Sequence, residues 1–267
     1  MTRELSDGEL ERYARHVIME EIGEEGQAKL LSSSVLVVGA GGLGSPALLY
    51  LAAAGVGRIG VIDADAVDVT NLQRQILHSS EEIGIAKVTS ARDRLEALNP
   101  DIVIEAHRLR LGPDNADDVL APYDLILDGS DNFTTRYLIN DACVRLKKTL
   151  ISAAIVRFEG QISTFKPWAD PGVLPCYRCI FPAQPDPNLV PRCDTVGVLG
   201  PVAGVMGTMQ AVEGLKELLG LGTSLAGRLM LYSALDATTR TIRIKADPDC
   251  PCCSGKGFAP GREGPAQ

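Results

Sequence analysis

Leu10, Tyr13, Ala14 and Val17 recur at helical spacing, and Ser6 with Glu9 forms a capping-box pair, so the pattern predicts a helical segment over residues 6–31. The rhythm then changes. SSSVLVV, RIGVIDAD, DIVIEAH, DLILD and TLISAAI are short apolar runs rich in β-branched residues, and they read as buried strands. Stretches of helical length lie between them: LLYLAAAG closed by Gly55 and Gly57, GIAKVTSARDRLEALNP ended by Pro100, and Thr134 to Lys147. Strands alternating with helices predict an α/β fold, a Rossmann-like and largely parallel sheet with helices on both faces.

Beyond these runs the period falls to two. RFEGQISTFK alternates like an antiparallel strand, and RLMLYSALDATTRTIRIK predicts a hairpin turning near Asp236 to Thr239. Val196 to Met209 is weakly polar but carries several glycines, Pro201 and Thr208, so it reads as the entry to a buried helix and not a membrane span. Pro167 to Pro191 holds seven of the sixteen prolines, which predicts a functional or metal-clipped loop. Residues 1–253 are expected to form a single domain. The tail, residues 254–267, is expected to be disordered.

Composition narrows the functions. Lys plus Arg is 26 against Asp plus Glu at 34, a formal net charge of -8, so bulk-charge binding to nucleic acid or membrane is disfavoured. Aromatics at 4% provide little for base stacking. The charged start MTRELSDGELERYARH has no apolar signal region, which predicts a cytoplasmic protein. Its seven cysteines are then expected as thiols, metal ligands or catalysts.

Gly39, Gly41 and Gly44 form G-x-G-x-x-G between a predicted strand and a predicted helix, where backbone amides can approach a phosphate. Asp63 ends the next strand and suits ribose hydroxyls. This pattern fits a dinucleotide or ATP. Asn71 and Arg74 in VTNLQRQ and Lys87 in GIAKVTS follow, and a triphosphate needs such cations as charge builds on departing pyrophosphate. Asp131, in DGSDN at the end of the fourth strand, can serve Mg²⁺ or cap the following helix. Cys176 with Cys179 and Cys250 with Cys253 are two C-x-x-C pairs, which suit a closed structural zinc site or two redox dithiols. Cys252 is an extra thiol beside the second pair, and spacing favours Cys250 and Cys253 as ligands.

RYARH, GAGGLGS, DADAVDVTNLQRQ, GIAK, LDGSDN, AAIVRFEGQISTF, PCYRC and CPCC occur in this order, and together resemble the E1-like activating enzymes. The resemblance spans about Ser6 to Cys253 and is strongest to the bacterial molybdopterin-synthase and thiamine-pathway adenylyltransferases. It implies adenylation, with MgATP, of the C-terminal Gly-Gly of a small ubiquitin-like sulfur carrier. It implies Gly42 and Gly44 against the phosphates, Asp63 on the ribose, Asn71, Arg74 and Lys87 on the triphosphate, and Asp131 on the metal. It further implies Arg15 reaching into the neighbouring subunit of a homodimer, and zinc at the two cysteine pairs. Cys193 matches the position of a functional thiol in several family members. Arg192 and a following helix N-terminus favour its thiolate. The carrier could belong to molybdopterin, thiamine or tRNA-thiolation chemistry, with a separate sulfur donor. An NAD-dependent oxidoreductase and a non-catalytic zinc-stabilised scaffold are the competing readings.

Overall fold

The computed structural model of the protein describes residues 3–184 and 197–256. The expected N-terminal helical segment is three helices: α1 (Asp7–Arg12), α2 (Ala14–Val17) and α3 (Gly23–Ser32). Ser6 caps α1, and Glu9 returns the bond to the Ser6 backbone N–H, as a capping box requires. Tyr13 ends α1 outside helical geometry, and that break turns the chain so that Tyr13 itself is buried.

The strands and helices then alternate as β1 (Ser34–Val38), α4 (Gly44–Ala53), β2 (Arg58–Ile62), α5 (Lys87–Leu98), β3 (Val103–His107), α6 (Ala116–Leu120), β4 (Leu125–Asp128) and α7 (Phe133–Leu146). The chain continues through β5 (Thr149–Val156), β6 (Glu159–Phe165), α8 (Tyr177–Ile180), α9 (Gly200–Leu219), β7 (Arg228–Ser233) and β8 (Thr238–Arg243). All eight strands form one sheet in the order β3-β2-β1-β4-β5-β6-β7-β8. Pairing is parallel from β3 through β5 and antiparallel from β5 through β8. The shift from unbroken apolar runs to alternation marks this change, because a strand covered on both faces has no solvent side.

Every residue of β1 is buried. Val35 and Val37 enter the apolar layer with Leu48, Leu51 and Leu95 of α4 and α5 and Met206 of α9. Leu36 and Val38 enter the opposite layer with Leu120 of α6, Ile139 and Ala142 of α7, and Tyr177 of α8. This two-sided cover fixes β1 at the centre. The crevice between β1 and β4, where the strand order reverses, is the place an open α/β sheet offers a ligand. Among the described residues, no helix is long and apolar enough to cross a membrane. Residues 185–196 and 257–267 lie outside the described residues, so of the expected tail only residues 254–256 are described.

Candidate active site

The glycine loop leaves β1 at Val38, opposite Asp128 of β4 and Ile62 of β2, so three strand ends share one edge. Gly39 has φ of 98°, a left-handed conformation that favours glycine. A Cβ on Gly44 would lie 1.8 Å from the Gly39 carbonyl oxygen, so only glycine allows the loop to fold back into α4. Gly41 lies near the Gln75 side chain, and Gly42 lies against the Arg74 stem, its ideal Cβ 3.4 Å from Arg74 Cγ. No side chain caps the start of α4; the Ser45 N–H donates to the Gly41 carbonyl and Pro46 carries none, which leaves the Gly44 N–H of the first turn for an anion. A compact backbone cradle with a cation across it fits a phosphate chain.

Asp63, just past β2, accepts the Ala40 N–H on Oδ2 at 2.9 Å and the Asp65 N–H on Oδ1 at 2.9 Å. It is thus tied to the glycine loop and its side chain is only 10% exposed. Lys87 opens α5, and its side chain is 6% exposed. Its Nζ lies 3.2 Å from Asp65 and 3.9 Å from Asp63. A lysine read from sequence as one cation of a set is therefore buried among carboxylates. Asn71 ends a 3₁₀ turn, Val69–Asn71, and Arg74 folds back with Nη1 donating to the Thr70 carbonyl at 3.1 Å. The structure brings Gly39, Gly41, Gly42, Gly44, Asp63, Arg74 and Lys87 into one neighbourhood through these contacts.

His78 joins this neighbourhood through the glycine loop. It is buried, its Nε2 lies 2.9 Å from the Ala40 carbonyl, and its Nδ1 lies 2.7 Å from Ser90 Oγ. The imidazole therefore props the glycine loop from below, with Nε2 donating and Nδ1 accepting. Burial pushes its pKa down, against the Ala40 carbonyl that favours the charged form.

Asp131 follows β4, is exposed, and makes no side-chain hydrogen bond among the described residues. The competing role of helix cap falls instead to Asn132, whose side chain accepts the Thr135 N–H at 2.9 Å. That leaves Asp131 a free carboxylate at the sheet edge, a donor suited to a hard cation beside phosphates.

Arg15 is exposed on α2, with no ion pair or hydrogen bond among the described residues. Its neighbours fix where it sits. Asn99 Nδ2 donates to Tyr13 Oη at 2.8 Å and to the Ala52 carbonyl at 2.7 Å. His16 Nδ1 contacts Gln27 Oε1, and Gln27 Nε2 donates to the Ala54 carbonyl. These anchors hold α2 at the C-terminal end of α4, while the glycine loop is at its N-terminal end. Ten residues of helix separate the two, about 15 Å. The structure does not bring Arg15 to the glycine loop of its own chain.

The sulfurs of Cys176, Cys179, Cys250 and Cys253 all lie within 4.8 Å of one another. Cys176 and Cys250 are 3.6 Å apart, Cys179 and Cys253 3.4 Å, and Cys176 and Cys179 4.0 Å. Sulfurs at 2.3 Å from a tetrahedral zinc stand about 3.8 Å apart, so the set fits that ion. No disulfide joins them. Hydrogen bonds from its neighbours push the Cys250 thiol down, Cys176 first among them, and hydrogen bonds with Cys179 and then Cys250 push the Cys176 thiol up. Cys252 stands beside the group, and its sulfur receives Asn140 Nδ2 at 3.5 Å. The module docks on α7: the Tyr177 N–H donates to Asn140 Oδ1, and Arg178 pairs with both oxygens of Asp141 at 2.7 Å. Cys193 and Arg192 lie outside the described residues. Cys143 is a buried core thiol on α7, its pKa raised by burial.

The ThiF family profile matches residues 13–252. The chain belongs to the ThiF family. Over 246 residues it is 50% identical to the sulfur carrier protein adenylyltransferase of Thermus thermophilus, covering 92% of this chain and 91% of that one. It is 48% identical over 257 residues to the SAMP-activating enzyme E1 of Haloferax volcanii, covering 96% and 93%. Crystal structures of E. coli MccB share the fold of this ThiF-family chain. One has a TM-score of 0.78 at 21% identity, covering 94% of this chain and 74% of that one.

Proposed function

We propose that the chain is an adenylyltransferase that uses MgATP to activate the C-terminal Gly-Gly carboxylate of a small ubiquitin-like sulfur-carrier protein, with residues 1–253 as its catalytic domain. The observation that carries this reading is the glycine loop, Asp63 and buried Lys87 gathered at the β1–β4 crevice of a ThiF-family chain. Relatives named sulfur carrier protein adenylyltransferase and E1 support the reaction class.

A carboxylate oxygen of the carrier attacks the α-phosphorus of ATP in line. The bond from that phosphorus to the bridging oxygen breaks, and the products are an acyl adenylate and pyrophosphate. Gly39, Gly41, Gly42 and Gly44 let the backbone meet the phosphates. Asp63 retains acceptor capacity for the ribose beyond its two backbone bonds. Asn71 binds the triphosphate, and Arg74 and Lys87 stabilise the charge on the departing pyrophosphate. Asp131 would hold Mg²⁺, which when bound neutralises phosphate oxygens as a Lewis acid. Arg15 is assigned to the ATP site of the partner in a homodimer, supported by its distance from its own glycine loop. Cys176, Cys179, Cys250 and Cys253 would hold zinc, which when bound ties the proline-rich loop to the far end of the chain. Cys193 is assigned to later thiol chemistry in thiocarboxylate formation, since adenylation needs no covalent enzyme thiol.

An oxidoreductase would use the glycine loop but leave Arg74 and Lys87 without work, and a scaffold would release no product. Pyrophosphate release from ATP, measured on adding a panel of Gly-Gly-ended carriers from molybdopterin, thiamine and tRNA-thiolation chemistry, tests the reading. Release with at least one carrier is expected. Folded, zinc-loaded protein that releases none with any of them overturns it.

A further inference from the structure

Asp131 has no side-chain partner among the described residues, so nothing it touches sets its direction. Its direction comes from the turn of residues 129–131, and that turn is held by buried charge on both sides. Asp128, at the end of β4, is fully buried. Its Oδ1 accepts the Ser130 N–H at 3.0 Å and Ser130 Oγ at 2.6 Å, and its Oδ2 accepts Ser152 Oγ of β5 at 2.8 Å. Arg136 of α7 is 8% exposed, and its Nη2 donates to the Ser130 carbonyl at 2.7 Å. The N–H of Ser130 is thus held by a carboxylate and its C=O by a guanidinium.

A neutral amide replaces this carboxylate only in part. An asparagine keeps one oxygen for Ser130 and can meet the Ser152 hydroxyl only by donating to it, so the bonds to a carboxylate are exchanged for weaker neutral ones. No cation lies within ion-pair distance of Asp128 among the described residues, so this fully buried carboxyl group is met by neutral donors alone. Such burial is costly, and a purely structural position is served as well by a neutral group. Two further contacts stiffen the arrangement. Gln210 of α9 donates to the Asp128 carbonyl at 2.8 Å and to the Ile151 carbonyl at 3.2 Å. Gly129 presses on the glycine loop, its carbonyl oxygen 2.9 Å from the ideal Cβ position of Gly39. Movement of the turn therefore moves Asp131 relative to the phosphate cradle.

We infer that Asp128 and Arg136 are positioning residues that act through Ser130 to aim the Asp131 carboxylate at the metal of the bound MgATP. The inference rests on the assignment of Asp131 to that metal. The experiment follows, against Mg²⁺ concentration, both ATP–pyrophosphate exchange with an active carrier and calorimetric ATP binding without carrier, with thermal melts to verify folding. In folded Asp128→Asn and Arg136→Lys the half-saturating Mg²⁺ concentration is expected to rise about tenfold or more, as loss of a ligand's supporting partner does. The KM for the carrier is expected to stay unchanged. Asp131→Ala is expected to lose exchange, and adding Asp128→Asn to it is expected to cost nothing more, since residues acting as one unit are not additive. Should Asp128→Asn fail to fold, Ser130→Ala and Ser152→Ala each remove one donor and are expected to raise the Mg²⁺ requirement in the same direction. Wild-type Mg²⁺ dependence in folded Asp128→Asn and Arg136→Lys, or in both serine variants, with Asp131→Ala inactive, overturns this inference alone. Full activity in Asp131→Ala overturns it together with the metal assignment.

Discussion

Replacing Lys87 by methionine removes the ammonium and keeps the stem that fills the start of α5. At 3.9 Å and an effective dielectric of about 20, its attraction to Asp63 is about 4 kcal/mol. Drawing both side chains out of water offsets much of that. When the ammonium goes, Asp63 keeps its two backbone N–H donors, and Asp65, whose side chain is 64% exposed, returns to water. The net loss of stability should be about 1–2 kcal/mol, below the roughly 3–5 kcal/mol of a buried charge left with nothing. The chain then stays folded. Activity should fall further, because a group aimed in advance at developing charge contributes about 2.7–4 kcal/mol, or about 100- to 1000-fold in rate. Urea denaturation reads the first quantity, and ATP–pyrophosphate exchange with a productive carrier reads the second. Folded Lys87→Met that exchanges within about threefold of wild type would refute the assignment of this cation to the leaving group.

Other consequences are open to direct measurement. Metal analysis of purified protein should find about one zinc per chain, retained in Cys193→Ala and lost in Cys176→Ser, because closed sites need all four thiolates. An inactive Arg15→Ala chain co-expressed with an inactive Asp131→Ala chain should regain exchange in mixed dimers, since one site then receives both wild-type groups. Verified mixed dimers no more active than their parents would rule out a site shared between subunits. The folded state holds His78 with a lowered pKa, so its contribution is full above the unfolded value of about 6.5 and is lost as pH falls through the folded value. Denaturation at pH 7.5 and 5.5 should show a loss of stability toward acid that is smaller in His78→Gln; the same loss in both proteins would dissociate the effect from this imidazole.

The strands were readable because burial on two faces demands apolar side chains at successive positions, as in Val35 to Val38 and Leu125 to Leu127. In the antiparallel half β6 was readable from the alternation in RFEGQISTFK, although the structure buries Ile162 through Phe165 on both faces, Ser163 included. The helices α6 and α8 escaped, because five and four residues are too short to show a period of 3.6. At the site, glycine spacing and the two C-x-x-C pairs are local signals, and the structure gathers each set into one place. The burial of Lys87 and the prop beneath Ala40 are not local. His78 meets a residue 38 positions away, and no pattern along the chain records that. Asp131 and Asn132 are both ordinary cap residues, and only the coordinates show that Asn132 takes the cap and leaves Asp131 unbonded.

The strand order also says how such a sheet can be assembled. After β4 is laid beside β1, each later strand of the sheet joins the one just before it, so the sheet grows outward from a single edge as the chain lengthens. Only one step is a leap, from β3 at one rim back across to β4 on the far side of β1. In sequence two pairings are long-range and entropically slow, β1 with β4 from Val35 to Leu125 and β6 with β7 from Ile162 to Met230, and the other neighbours lie nearer along the chain. The two cysteine pairs stand 74 residues apart, on either side of α9, β7 and β8. They meet only when this last portion has been laid down. With zinc bound, the four sulfurs would act as a closing latch that forms after the final hairpin is in place and opposes the peeling of the outermost strands.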